Sequence, residues 1–187
     1  MNFNQYVKGN ALEISDTAIN IRELVSFLRS NIHITKLDLV KAGIGDEDVK
    51  ELAKLTHLTS LNLEWNRIGD KSAEALANGN LSNLTSLDLK WNEIGDKGAK
   101  ALANGNFTHL TSLNLMGNNI RSLTTKAILT SLEKRCNRER EMEESSSSLS
   151  SSGDNSDQSD LSSRLSEVQV MSRDQSLDSS HSSNRSV

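Results

Sequence analysis

Residues Leu58 to Asn83 read LTSLNLEWNRIGDKSAEALANGNLSN, and residues Leu84 to His109 read LTSLDLKWNEIGDKGAKALANGNFTH. The same pattern is stated twice at a period of 26 residues. Self-similarity at a fixed period of this size marks an architecture built by stacking one small unit on copies of itself. Each unit carries two hydrophobic codes. Leu58, Leu61 and Leu63 fit L-x-x-L-x-L, whose last pair has the two-residue period of a strand. Ala73, Leu76 and Ala77 then recur at helical spacing. Between the two codes Asn66 and Ile68 turn the chain, and Gly69-Asp70 is expected to supply a joint and a helix N-cap. Asn78-Gly79-Asn80 ends the helix, with Gly79 expected in the left-handed conformation of a helix C-terminus.

Outward from this stretch the strand pairs align as Leu12/Ile14, Leu37/Leu39, Leu61/Leu63, Leu87/Leu89 and Leu113/Leu115, at spacings of 25, 24, 26 and 26 residues. The pattern resembles the leucine-rich repeat family, in the subclass typified by ribonuclease inhibitor, from about Leu12 to Leu132. The resemblance implies an α/β fold, a solenoid with a curved parallel sheet on its concave face and helices on its convex face. It implies binding rather than chemistry. The near-identical ALANGN segments also resemble short leucine-rich-repeat proteins of host-associated intracellular bacteria, many of which are secreted effectors.

Four segments are expected. Residues 1–33 read as an N-terminal capping unit, with a strand at Leu12–Ile14, a helix cap at Asp16 or Thr17, and Phe3, Tyr6 and Val7 available to cover the open end of the core. Residues 34–121 hold the repeats. One of these has Ala42 where the others have Asn66, Asn92 and Asn118, which is expected to weaken the turn there. Residues 122–144 read as a C-terminal capping helix that runs out into charged sequence. Residues 145–187 contain 19 Ser among 43 positions, with six acids and three Arg. Such a tail cannot bury enough surface to offset its ordering entropy and is expected to be disordered. Within it Leu161, Leu165, Val168 and Met171 are spaced like one helical face, either by chance or as a short segment that folds on a partner.

Composition narrows the function. Three Phe, one Tyr and two Trp leave the core to aliphatic side chains. A net charge of -4 gives no pull toward nucleic acid or an anionic membrane. No apolar run approaches the roughly 20 residues that cross a bilayer, and MNFNQYVKGN lacks the features of a secretory signal. A cytoplasmic monomer is expected, the alternative being delivery into a host cell without a signal peptide. The single Cys136 rules out an internal disulfide framework. It lies among basic residues but has no Cys or His at ligand spacing. His57 and His109 occupy equivalent positions, filled by Asn83 in the unit between, which reads as an exposed turn. No catalytic constellation, metal site or cofactor is expected.

The informative surface is therefore the concave one, where alternation exposes the residues between the leucines. One row holds Asp38, Asn62, Asp88 and Asn114, and the next holds Glu64, Lys90 and Met116. Beside them lie Trp65 and Trp91, equivalent in adjacent units and so about 5 Å apart along the sheet. Trp is enriched at binding hot spots, although strict alternation would turn this position partly inward, over the Asn turn. These nine residues are expected to bind a protein partner. The alternative is an inhibitor of, or adaptor for, a specific enzyme, such as a ubiquitin-ligase substrate receptor.

Overall fold

The computed structural model describes residues 1–124, 126–128 and the backbone of residues 168–169. A 3₁₀ turn, Phe3–Tyr6, leads into β1 (Val7–Lys8) and β2 (Ala11–Glu13). Helices and strands then alternate: α1 (Ile21–Ser30), β3 (Lys36–Asp38), α2 (Asp46–Leu52), β4 (Ser60–Asn62), α3 (Asp70–Ala77), β5 (Ser86–Asp88), α4 (Asp96–Ala103) and β6 (Ser112–Asn114). Residues 122–124 and 126–128 are helical, and β7 is Val168–Gln169. The strands form one sheet in chain order, parallel throughout except where β1 pairs antiparallel with β2. This is the solenoid expected from the repeats.

Register follows the leucine code. Leu12, Leu37, Leu61, Leu87 and Leu113 are aligned partners across β2 to β6, each 2% exposed or less. Burying a leucine that fully stabilises by roughly 1.5–3 kcal/mol. The helices close the other side of the core with short side chains. Ala73, Leu76 and Ala77 of α3 and Ala99, Leu102 and Ala103 of α4 are buried. Small residues there let neighbouring helices approach closely. A Cβ at Gly98 would stand 2.9 Å from that of Ala73, and one at Gly79 would stand 2.7 Å from the Ala53 carbonyl oxygen. Gly79 is therefore needed for close approach between units. The expected left-handed C-terminal cap is not formed there, since the positive-φ glycines are Gly9, Gly43 and Gly117.

The Gly-Asp pair also works differently from the expectation. Gly69, not Asp70, is the N-cap of α3, and it makes no side-chain cap hydrogen bond. Asp70 instead reaches the next unit, where its Oδ1 accepts from the backbone N–H groups of Gly95 (2.7 Å) and Gly98 (2.8 Å) at the start of α4. Asp46 accepts likewise from the Ser72 hydroxyl, and Asp96 accepts from the Arg121 backbone N–H at 2.9 Å. In the first unit the cap of α1 is Asn20, whose side chain accepts from Arg22 and Glu23, rather than Asp16 or Thr17.

Buried asparagines hold the turns. Asn92 Oδ1 accepts from the backbone N–H groups of Asn66 and Ile68, and its Nδ2 donates to the carbonyls of Leu63 and Leu89. Asn66 and Asn118 do the same for Ile44 and Ile94. Each amide thus serves the turn of the preceding unit. In the unit of Ala42, where the inward Asn is missing, Ile44 N–H and Leu39 C=O find another partner, since both are bonded by Asn66.

At the N-terminal end Phe3 is buried, packs against Phe27 at 5.4 Å between ring centroids, and has Tyr6 and Val7 partly buried beside it. Those three residues cover the core as expected. The expected continuation of the C-terminal helix to 144 and the disorder of 145–187 lie outside the described residues, apart from Val168–Gln169. That pair is a strand, β7, and so does not belong to the helical face read at Leu161, Leu165, Val168 and Met171.

Candidate protein-binding face

The outward residues form three columns across the sheet. The first column runs Glu13, Asp38, Asn62, Asp88 and Asn114, which are register partners. Asn62 Nδ2 donates to Asp38 Oδ2 (3.0 Å) and Asn114 Nδ2 to Asp88 Oδ2 (3.1 Å). Each of the four residues from Asp38 to Asn114 also accepts the backbone N–H two positions on, at Val40, Glu64, Lys90 and Met116. These side chains are half-buried, so much of their polarity is spent within the sheet. Burial pushes the Asp88 carboxyl above its ordinary value, against the opposing hydrogen bonds from Lys90 and Asn114.

The second column is Val40, Glu64, Lys90 and Met116, all partly exposed. Glu64 and Lys90 form an ion pair at 3.1 Å. The charge of the pair is balanced locally, and an exposed pair of this kind contributes little to stability.

The third column decides the character of the face. Asp16, Lys41, Trp65, Trp91 and Gly117 stand at equivalent positions, and all have positive φ, from 52° to 74°. The chain must leave the strand here to bring the Asn side chain inward. A left-handed residue makes that bend, at a cost of roughly 1–3 kcal/mol where the residue is not glycine. The bend also breaks the alternation that would have turned the indoles inward. Trp65 is 48% exposed and Trp91 37%, the largest exposed aromatics among the described residues.

The two indoles stack, with centroids 5.1 Å apart and planes 17° from parallel. An aromatic pair in this geometry contributes about 0.5–1.5 kcal/mol beyond its buried area. The free side of Trp65 is covered by Lys41, whose Nζ lies 5.8 Å from the ring centroid. The far side of Trp91 lies over Gly117, where a Cβ would come within 2.6 Å of the ring. Lys41 in turn pairs with Asp16 at 3.6 Å. The column is thus one stack, carboxylate to ammonium to indole to indole to bare backbone. With the ring faces occupied, the indoles offer their rims. A depression of about 450 Å³ lies beside them, bounded by Lys41, Gly43, Arg67 and Glu93.

The nine residues expected from the sequence fall on this one face, with Trp65 and Trp91 at its margin. The repeat position alone puts Lys41 and Gly117 in one column with Trp65 and Trp91; the structure adds Asp16 to that column and shows that its members stack. His57 departs from the expected exposed turn. It is partly buried, its Nε2 has no hydrogen-bond partner among the described residues, and burial pushes its pKa below the ordinary value. His109 is exposed as expected, with Nδ1 at 2.8 Å from the Ser82 carbonyl oxygen. Among the described residues there is no group of three or more His, Cys, Asp or Glu placed to hold a metal, and no helix is long and apolar enough to cross a membrane. Cys136 lies outside the described residues.

The family model described as Leucine Rich repeat matches residues 30–53, 54–77, 80–103 and 108–122. No curated protein matches the chain.

Proposed function

Since this chain is a leucine-rich-repeat protein, with four repeat matches between residues 30 and 122, we propose that it is a non-enzymatic module that grips a protein partner with the exposed face of its repeat sheet. The Trp65–Trp91 stack carries this reading. The core needs neither indole, yet both are held outside it on left-handed backbone and locked by Lys41 and Gly117. A rigid aromatic pair loses little conformational entropy on binding and can form the desolvated centre of an interface. Among the described residues neither indole N–H is bonded to an acceptor, so both are available to carbonyl or carboxylate groups of a partner. Asp38, Asn62, Asp88 and Asn114 contribute a polar field beside the stack, and Glu64, Lys90 and Met116 form the ground between.

The protein nature of the partner rests on the family. Its further reading as a bacterial effector acting in a host cell rests on the sequence resemblance alone. The test is affinity capture with the full chain against a Trp65→Ala/Trp91→Ala variant, each checked for folding by circular dichroism. The double variant is expected to stay folded and to lose the partners that the wild type captures. Undiminished capture by a folded double variant would move the binding surface elsewhere.

A further inference from the structure

The sheet does not stop at the last repeat. Val168–Gln169 pairs parallel with β6, Val168 in register with Leu113 and Gln169 with Asn114, which makes β7 the terminal strand. By backbone register Val168 therefore falls in the row that begins at Leu12, and Gln169 in the row of Asp38, Asn62, Asp88 and Asn114.

The sequence around β7 carries the repeat's own code. Residues 110–116 read LTSLNLM and residues 165–171 read LSEVQVM. Leu165, Val168 and Val170 reproduce the L-x-x-L-x-L spacing of Leu110, Leu113 and Leu115. A hydroxyl residue follows the first apolar position in both, an amide separates the two strand positions in both, and Met closes both. This segment lies in a tail that is otherwise rich in Ser and poor in apolar residues. Register and spacing are independent observations, and they agree on the same residue, Val168.

A sheet edge gives the segment its use. At the first end of the solenoid, β1 turns back antiparallel on β2 and Phe3 closes the core. At the other end the outward N–H and C=O groups of β6 would form a bare edge, ready to take any compatible strand. We propose that the outer edge of β6 is a strand-acceptor site whose resident occupant is this chain's own β7, Val168–Gln169, a strand without its own repeat. The long stretch of chain between Ile128 and β7 is no obstacle, since loop-closure entropy grows only with the logarithm of length. A cap held by one short strand is also removable, so the same edge becomes open to another chain's strand when the segment leaves. The proposal does not depend on what the tryptophan face binds.

Two experiments on the full chain test it. In a Cys136→Ser background, Asn114→Cys with Gln169→Cys places thiols on register partners, whose spacing of about 4.8 Å between strands suits a disulfide. Glu13→Cys with Gln169→Cys places them at opposite ends of the sheet. Oxidation is expected to give an intramolecular bond in the first pair and none in the second. A bond that forms only between two copies would make a second molecule the occupant and overturn the proposal. Equal bonding in both pairs would overturn it as well. Independently, Val168→Asp/Val170→Asp lies outside the repeats and leaves their core intact. It is expected to raise hydrogen exchange at the β6 amides by about tenfold or more, as for loss of a local protecting strand, while β3 to β5 keep their protection. Unchanged exchange at β6 would show that the segment does not sit there.

Discussion

Replacing Asn92 with Ala removes a carboxamide that is 7% exposed and bonded on every side. Its loss does not strand all of its partners. The Leu63 carbonyl still accepts from Asn66 Nδ2 at 3.0 Å, and the Leu89 carbonyl still accepts from Asn118 Nδ2 at 2.8 Å. What remains without a partner is the pair of backbone N–H groups at Asn66 and Ile68. A buried donor left unsatisfied costs about 1–3 kcal/mol, so the substitution should destabilise by roughly 2–6 kcal/mol. That is a large share of the total stability of a domain of this size. Urea denaturation followed by circular dichroism reads it directly, as a lower midpoint at unchanged slope. Asn78→Ala, on the exposed end of α3, serves as the control and should stay within about 0.5 kcal/mol of wild type. If Asn92→Ala lost no more than Asn78→Ala, the turn amides would have other partners and the inward asparagines would not be what holds the turns.

Leu87→Ala, in the middle of the buried leucine column, should cost roughly 2–5 kcal/mol in the same assay, whereas Thr85→Ala at an exposed position should cost far less. Gly117→Ala puts a methyl into the Trp91 ring at a φ of 74°. It should cost about 1 kcal/mol or more and weaken the far-ultraviolet exciton couplet of the stacked indoles, and a couplet of unchanged strength would refute the stacking argument. Burial holds the pKa of His57 below its ordinary value of 6.5, so the unfolded chain binds the proton more readily. Stability is therefore complete above pH 6.5 and falls as the pH drops below it, and His57→Asn, the residue at the equivalent position 83, should flatten that slope.

The architecture was legible because the repeat fixes phase. Once Leu61 and Leu63 are aligned with Leu87 and Leu89, the register of the sheet and the inward faces of the helices follow. The candidate face was legible for the same reason, since Asp38, Asn62, Asp88 and Asn114 occupy one position of the unit. What escaped was side-chain contact from one helix or loop to that of the next unit. Asp70 reads as a local cap because capping rules are written for one helix, but its acceptor oxygen is used 25 residues on. Gly79 reads as a left-handed terminus, yet it is kept small by Ala53, which is distant in sequence. The exposure of Trp65 depends on a positive φ that pattern alone does not give, since alternation predicts the opposite side. The strand at Val168–Gln169 was read as part of a helical face because Leu161 and Leu165 drew the pattern toward a longer period.

The two sets of polar bonds between units run in opposite directions along the chain. Carboxylates reach forward, Asp46 to Ser72, Asp70 to Gly95 and Gly98, Asp96 to Arg121. Amides reach back, Asn66 to Ile44, Asn92 to Ile68, Asn118 to Ile94. Peeling a unit from the front therefore takes away the acceptor that completes the next helix, and peeling one from the back orphans the turn before it. Neither end can fray cheaply. A stack of this kind should melt as a single cooperative block rather than unit by unit. A duplicated copy that brings both its Asp and its Asn would keep both sets of bonds continuous.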